Sequence, residues 1–269
     1  MLEFEVLARG FYRPEQVEIV YDSTLRMPLL PEQREWMDAL WQAKLALARE
    51  RQTRLFDSQL FRLVEAASRP DGSLHLVLGD TSYKEYVTTR EPEFALHHPR
   101  EERGNAIGVC SVVETSDGAI LLDKRQGVDV YVGRYHVIGG FFERGLDTGE
   151  RPDPFQAITR EIREETGIQS VDIREQYCLG AVYDLVTPHA ELCFLTLLNI
   201  TLAEVYTRTP EEDEIKNLES LQVTAESLRA FILSHHGRIS ATGEPNLLWY
   251  GALRFGEEWY QGLMAQIQA

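Results

Sequence analysis

Three glutamates are spaced so that a helix would bring their carboxylates together. Glu161, Glu164 and Glu165 follow the spacing i, i+3, i+4, which places them on one face of an α-helix. Such like charges repel, at about 0.2–0.5 kcal/mol for each pair in an isolated helix. A hard divalent cation can turn the repulsion into binding, because Mg²⁺ takes carboxylate oxygens and leaves other positions to water and phosphate. A solvated acidic helix face is the commoner meaning of this spacing, so the surrounding residues must decide.

The flanking residues predict one helix over 154–166. Asp153 and Pro154 suit the N-cap and first helical position, and Gly167 is a natural C-terminal stop. A neighbouring apolar stripe can dock this helix on a sheet. The stripe consists of Phe155, Ile158 and Ile162.

The stretch from Arg160 to Ile168 reads R-E-I-R-E-E-T-G-I and resembles the helical half of the Nudix box, R-E-U-x-E-E-x-G-U, where U is a bulky aliphatic residue. All the specified letters are present. The context also fits, with a predicted strand ending in Gly139-Gly140, a loop and then the helix. The resemblance covers roughly residues 106–231. It implies a Nudix fold, which is an α-β-α sandwich with a mixed sheet between helices.

The first half of the box departs from the family pattern G-x5-E-x7-R. Nine residues separate Gly140 from Glu150 and nine separate Glu150 from Arg160, where the pattern has five and seven. Ile138 also replaces the usual proline. The extra residues lie in the loop 141–151, ahead of the helix cap, so the helix is expected to keep its geometry. The insertion leaves two candidates for the loop glutamate, Glu143 and Glu150.

The resemblance implies a role for each polar residue of the helix. Glu164 and Glu165 are expected to bind a metal directly, and Glu161 to bind it or position its water. Arg160 is expected to pair with a nearby carboxylate and hold the helix to the loop. The implied cofactor is Mg²⁺, with Mn²⁺ as the alternative. The implied reaction is attack by a metal-activated water on one phosphorus of a pyrophosphate.

Further site residues are expected beside the glycine pair and downstream of it. The carbonyl of Gly140, or that of Gly139, is a candidate metal ligand. The substrate-binding candidates are Gly139, Tyr135 and Phe142. The two aromatic rings can stack on a base, with core packing as the alternative. The general-base candidates are Glu191, Glu211, Glu212 and Glu214, each of which is otherwise a surface charge.

The substrate class is suggested by a second resemblance, carried by residues 78–87. This stretch, L-G-D-T-S-Y-K-E-Y-V, is similar to the L-G-x-T-x-Y-x-x-Y/F segment of Nudix enzymes of the UDP-glucose pyrophosphatase type. Those enzymes join an N-terminal domain to a Nudix domain with an insertion in its box. A UDP-sugar would give UMP and a sugar 1-phosphate. The alternatives are ADP-ribose or another nucleotide substrate, a Nudix module that senses a nucleotide without cleaving it, and, for the segment itself, a capped surface helix.

The elements that must position these residues divide into two units. Residues 1–103 are predicted to form a small α+β N-terminal domain, with strands at 2–7 and 17–21, a helix at 31–51, a hairpin around 70–73 and a short helix capped by Thr81. Residues 104–269 are predicted to form the Nudix domain with a C-terminal helical extension. Its expected elements are strands at 107–114, 119–122, 135–138, 177–186 and 192–200, and helices at 154–166, 224–235 and 246–267.

Composition limits the remaining function classes. The chain has 269 residues, 43% of them hydrophobic, and a formal net charge of -16. The apolar content suffices for a core, and the acidity argues against nucleic acid as a partner. A small nucleotide is the expected partner. The three cysteines favour neither a disulfide framework nor a zinc site. No stretch is apolar enough for a membrane span or a signal peptide, so a cytoplasmic protein is expected. The choice between monomer and homodimer stays open.

Overall fold

A computed structural model describes residues 2–126, 130–148, 151–211 and 217–268. Within these residues the strands are β1 (Phe4–Tyr12), β2 (Val17–Tyr21), β3 (Gln59–Ser68), β4 (Leu74–Ser82), β5 (Ile107–Glu114), β6 (Ala119–Lys124), β7 (Tyr135–His136), β8 (Ile138–Phe141), β9 (Ile173–Asp184), β10 (His189–Leu198) and β11 (Leu218–Gln222). The helices are α1 (Pro31–Glu50), α2 (Tyr83–Thr89), α3 (Pro92–His97), α4 (Pro154–Thr166), α5 (Leu202–Val205), α6 (Ala225–His235), α7 (Gly243–Phe255) and α8 (Glu257–Ile267).

A large mixed sheet forms the centre of the molecule. In the described part of the chain it has eight strands, in the order β1-β9-β10-β5-β6-β11, with β7 paired to β6 and β8 paired to β5. Strands β10 and β5 are parallel and the other pairs are antiparallel. Helix α4 packs on one face, where Ile158 and Ile162 join the core, and α6, α7 and α8 cover the other. The predicted α-β-α sandwich is therefore confirmed.

The first strand belongs to this large sheet. Strand β1 pairs with β9, so that Phe4 lies opposite Asp184 and Ala8 opposite Ala181. The inward-facing side chains of β1 are spaced about one every four residues, because bulges interrupt its pairing. The sequence pattern places this strand in the N-terminal unit, because a local pattern does not reveal a partner strand as distant in the chain as β9. The proposed boundary at residues 103 and 104 stays a prediction.

The rest of the N-terminal unit is built on a small sheet. Among the described residues this sheet has three strands in the order β2-β4-β3, and the predicted hairpin of β3 and β4 is confirmed. The cap of α2 is Ser82 rather than Thr81. The Ser82 hydroxyl accepts a hydrogen bond from the Glu85 N–H, while the buried Thr81 hydroxyl donates to the Glu85 carboxylate. A helix cap needs an extended backbone one residue before the first turn, and Ser82 has that position.

Two further elements differ from expectation because the backbone breaks inside them. The predicted helix at 246–267 is two helices, α7 and α8, which meet at Gly256 with φ 93°. The predicted strand at 135–138 is two short strands, with β7 on β6 and β8 on β5. The second break carries Gly139 and Gly140 across to β5, beside α4.

Candidate active site

Helix α4 has the predicted bounds because its two caps are local. The Asp153 carboxylate accepts hydrogen bonds from the N–H groups of Phe155 and Gln156, at 2.9 and 3.2 Å. Gly167 has φ 75°, and its N–H donates to the Arg163 carbonyl at 2.8 Å. The predicted helix is confirmed, and its glutamates face the end of the sheet where the glycine pair lies.

Glu165 is buried against the first glycine of the pair. Its Oε2 accepts a hydrogen bond from the Gly139 N–H at 3.1 Å. Burial and the nearby charge of Glu161 raise the pKa of Glu165 well above its usual range, although the Gly139 bond and the charge of Arg125 oppose this. The charged form of Glu165 is therefore disfavoured here, and a nearby cation would favour it.

Glu161 lies against the second glycine. A Cβ atom added to Gly140 would come within 2.5 Å of the Glu161 Oε2, a distance that side chains do not tolerate. Gly140 thus provides the space that this carboxylate occupies. The sequence predicted carbonyl ligands from the glycine pair. Here the Gly139 N–H contacts Glu165, and Gly140 leaves room for Glu161, while the role of the carbonyls stays a prediction.

Arg160 connects the helix to the loop that follows β8. Its Nε and Nη2 donate to the two carboxylate oxygens of Asp147, at 2.8 and 2.9 Å, and Nη2 also donates to the Phe141 carbonyl at 3.0 Å. Its Nη1 lies 3.0 Å from the Glu161 Oε1 and 2.8 Å from the Glu164 Oε2. Burial lowers the pKa of Arg160, but the Asp147 hydrogen bonds and the carboxylate charges outweigh it, so the net shift is upward.

The loop carboxylate is Asp147, which sequence reasoning missed. Asp147 is 1% exposed and makes a bidentate contact with Arg160, so it is the nearby carboxylate that Arg160 was expected to pair with. The choice between Glu143 and Glu150 as the loop glutamate stays a prediction. Glu143 contributes its backbone, since its N–H donates to the Asp147 Oδ2 at 2.8 Å. Glu150 lies outside the described residues. The insertion shifts the spacing, so a search of the loop for Asp as well as Glu would have been needed to find the residue.

The chemistry of the α4 carboxylates suits a hard divalent cation, but Arg160 occupies the space between two of them. In the described part of the chain, no three His, Cys, Asp or Glu side chains converge closely enough to enclose a metal. The Arg160 Nη1 stands between Glu161 and Glu164. Glu164 is the more exposed of the two and also contacts Arg163 at 3.3 Å. A cation at this place requires Glu164 to exchange its arginine contacts for the ion.

Glu191, a predicted general base, lies on the other face of the sheet. In the sheet register Glu191 pairs with Gly108, and Gly108 pairs with Phe141. The adjacent pair, Val109 and Gly140, has its side-chain positions on the face that α4 covers. Side chains alternate between faces along a strand, so Glu191 points towards the C-terminal helices. This placement does not favour Glu191 as the base for a water held by α4.

Two histidines enclose the Glu191 carboxylate instead. The His189 Nε2 lies 3.4 Å from one carboxylate oxygen, and the His136 Nε2 lies 3.8 Å from the other. Burial alone would raise the pKa of Glu191, but the His189 hydrogen bond and the interactions with both histidines lower it to about 2.

Of the other predicted bases, Glu211 lies beside the C-terminal half of α4. Its N–H donates to the Glu164 carbonyl at 2.9 Å, and its carboxylate lies 3.1 Å from the Arg163 Nε. Glu212 and Glu214 follow it in the chain but lie outside the described residues.

The predicted substrate-binding aromatics have structural contacts. Phe142 is fully buried and packs on Phe61 with ring centroids 4.5 Å apart, so core packing, the alternative reading of this residue, is what the structure has. Tyr135 is half-buried, donates to the Glu219 carboxylate at 3.0 Å and contacts the Phe231 ring edge-on. Phe142 faces the core because it follows β8 on the same side as α4, a choice of face that composition does not reveal.

A model of the NUDIX domain family matches residues 103–241, just over half of the chain. The chain therefore belongs to the Nudix family, and its α-β-α sandwich is a Nudix fold. No protein of curated function matches the chain significantly. In the described residues, no helix is both long enough and apolar enough to cross a membrane.

Several solved structures resemble the chain at low identity. A bifunctional NMN adenylyltransferase/ADP ribose pyrophosphatase from Francisella tularensis is 18% identical, with 61% of this chain and 44% of that chain covered and a TM-score of 0.41. The match thus spans less than half of that protein. The Nudix domain of Shewanella oneidensis NrtR, complexed with ADP ribose, is 16% identical, with 61% and 97% covered and a TM-score of 0.41. The ORF135 protein of E. coli is 23% identical, with 56% and 91% covered and a TM-score of 0.38.

Proposed function

We propose that this protein is a divalent-metal-dependent pyrophosphohydrolase acting on a nucleoside diphosphate linked to another group. The observation that carries the proposal is the contact between the α4 carboxylates and the glycine pair. Gly139 donates to Glu165, and Gly140 leaves the space that Glu161 occupies. Burial and the neighbouring carboxylate disfavour the charged form of Glu165, and a bound divalent cation would stabilise that form.

Glu161, Glu164 and Glu165 would hold the ion, Mg²⁺ or Mn²⁺. When bound, the ion would lower the pKa of a coordinated water and neutralise charge on the phosphate oxygens. Arg160, held by Asp147, orients the helix and stabilises its acidic face. Glu211 is the base candidate that the fold brings beside α4.

We further propose a UDP-sugar as the substrate. The segment 78–87, which suggested this class, forms the end of β4 and the start of α2. Its Tyr83 and Tyr86 contact Phe141 edge-on, with ring centroids 5.7 and 5.3 Å apart, immediately after the glycine pair. These ring contacts bring the segment next to the chain that follows the glycine pair, which supports the proposed substrate class.

A panel of nucleotide substrates tests the proposal. UDP-glucose, UDP-galactose, ADP-ribose and dinucleoside polyphosphates are incubated with the protein and Mg²⁺ or Mn²⁺, and the products are separated by chromatography. UMP and sugar 1-phosphate are expected from the UDP-sugars. Glu165→Gln should reduce kcat by about a hundredfold or more, whereas Glu35→Gln, an exposed glutamate of α1, is the matched control and should leave kcat unchanged. Binding of a nucleotide without turnover would favour the sensing module instead.

A further inference from the structure

We propose that Asp80, in the small N-terminal sheet, is a positioning residue for the carboxylates of α4. The inference rests on the proposed function, because it gives the N-terminal unit a role in forming that site. Direct contacts lead from Asp80 to Arg144, along a short turn to Asp147, and from Asp147 to Arg160.

The chain after β8 is held first by the backbone of the small sheet. The Phe61 N–H donates to the Phe142 carbonyl at 3.1 Å, and the Arg144 N–H donates to the Gln59 carbonyl at 2.9 Å. The fully buried rings of Phe61 and Phe142 pack beside these bonds. The residues after β8 therefore add to the β3 edge of the small sheet as an extra extended segment.

The Arg144 side chain then ties this segment to Asp80. Its Nη1 donates to the Asp80 Oδ2 at 2.8 Å, and its Nε donates to the Leu60 carbonyl at 3.0 Å. The other oxygen of Asp80 accepts the Tyr21 hydroxyl at 2.7 Å, and the Arg26 Nη1 lies 3.7 Å from Oδ2. The side chain of Asp80 is 8% exposed and that of Arg144 is 17% exposed, so solvent screens this ion pair much less than a surface pair.

Arg144 lies inside the turn that presents the loop carboxylate. The Asp147 N–H donates to the Glu143 carbonyl at 2.9 Å, and the Asp147 Oδ2 accepts the Glu143 N–H at 2.8 Å. The Thr148 hydroxyl donates to the Arg144 carbonyl at 2.7 Å. A displacement of Arg144 therefore displaces the Asp147 carboxylate, and with it the guanidinium of Arg160.

The last contact reaches the acidic face. Arg160 touches Asp147, Glu161 and Glu164 with the same planar group, so its position sets the separation of the two glutamates. A metal ion at α4 must displace Arg160 from Glu164, so the affinity for the ion depends on how firmly Asp147 holds the Arg160 guanidinium. Loss of the Asp80 charge is thus expected to weaken metal binding from a distance.

The test compares Asp80→Asn, Arg144→Gln and the double variant with Arg62→Gln. Arg62 is a matched control because it is a buried cation of the small sheet, on the β3 strand that neighbours Asp80, and its bonds go to the Glu101 and Arg103 carbonyls rather than to the turn. Hydrogen exchange is measured on peptides covering 141–148 and 154–166 in the whole protein. The Kd for Mn²⁺ is measured by electron paramagnetic resonance. Unfolding in urea reports the stability of each variant.

We expect faster exchange over 141–148 in Asp80→Asn and Arg144→Gln, and a Kd for Mn²⁺ raised by about threefold to tenfold. The double variant should show an exchange rate and a Kd no higher than those of the more affected single variant, because the two residues act through one contact. Arg62→Gln should lose stability without either change. Unchanged exchange, equal changes in Arg62→Gln, or additive losses in the double variant would overturn the inference. If the wild-type protein binds no Mn²⁺, the proposed function fails, and the exchange measurement alone decides the positioning role.

Discussion

At the scale of single residues, the two adjacent glycines meet different surroundings. A Cβ on Gly140 would meet the end of a flexible side chain, the Glu161 carboxylate, at 2.5 Å. A Cβ on Gly139 would meet backbone, at 2.2 Å from the Val109 carbonyl oxygen and 2.6 Å from the Cys110 Cα. The same added methyl group should therefore disturb the site at one position and the fold at the other.

We predict that Gly140→Ala moves the Glu161 carboxylate and raises the Kd for Mn²⁺ by about tenfold, with little loss of stability. Gly139→Ala forces strands β5 and β8 apart and should lower the free energy of unfolding by about 1–3 kcal/mol. Gly145→Ala is the control, because nothing lies within 4 Å of its added Cβ. Calorimetric titration with Mn²⁺ and urea unfolding of all three variants check this. Equal losses of stability in the first two would contradict it.

At the scale of elements, α4 depends on the cap that links it to the loop insertion. The Asp153 carboxylate holds two N–H groups of the first turn, after an irregular segment that begins at β8. The helix carries Arg160 and the three glutamates of the candidate site, while Asp147 and Glu211 lie outside it. Its start therefore determines how the acidic face is presented to the glycine pair.

We predict that Asp153→Ala lowers the free energy of unfolding by about 1 kcal/mol, because two first-turn N–H groups lose their acceptor. Asp153→Ser keeps a capping oxygen and should recover most of that loss. Urea unfolding of the three proteins measures both values. A loss with alanine no greater than with serine would show that the cap contributes nothing.

The parts of the fold that the sequence predicts are those decided within a few residues. The bounds of α4 follow from Asp153 and Gly167, and the β3–β4 hairpin follows from its turn. Contacts that depend on register or on distant partners were missed. The face on which Glu191 lies is set by its pairing with Gly108, and Asp147 is identified only once Arg160 is seen beside it. Local spacing does not reveal the register that decides the face of Glu191, and the loop insertion shifts the spacing by which Asp147 could be found.

At the scale of the whole molecule, the buried His189 of β10 connects the large sheet to α2. Its ring contacts Tyr86 of α2, and its nitrogens lie near the Asp184 and Glu191 carboxylates. Burial opposes the charged form of His189, but its interactions with Tyr86, Glu191 and Asp184 outweigh this and raise its pKa to about 10. His136, on the other side of Glu191, behaves oppositely, because burial lowers its pKa to about 3. His189 and Glu191 therefore form a buried ion pair, while His136 stays neutral.

This arrangement predicts a pH-dependent stability. The raised pKa of His189 stabilises the fold fully below about pH 6.5, its unfolded value, and the contribution is lost as pH rises towards 10. His189→Gln leaves Glu191 without its cation and should cost about 3 kcal/mol near pH 6. The difference from the wild-type protein should shrink steadily up to pH 9.5. Urea unfolding at pH 6, 8 and 9.5 checks this, and a constant difference would refute it.

The pairing of β1 with β9 also governs the order in which the chain can fold. The ribosome releases β1 well before β9, so Phe4 finds its partner only when Asp184 has emerged. The nascent β1 must therefore stay unpaired while the small sheet and most of the large sheet are synthesised, and contacts so distant in sequence form slowly. An unpaired strand is a template for pairing between chains. Pairing of β1 with another chain is thus favoured during synthesis, and a delay in translation before residue 184 would prolong the time in which it can occur.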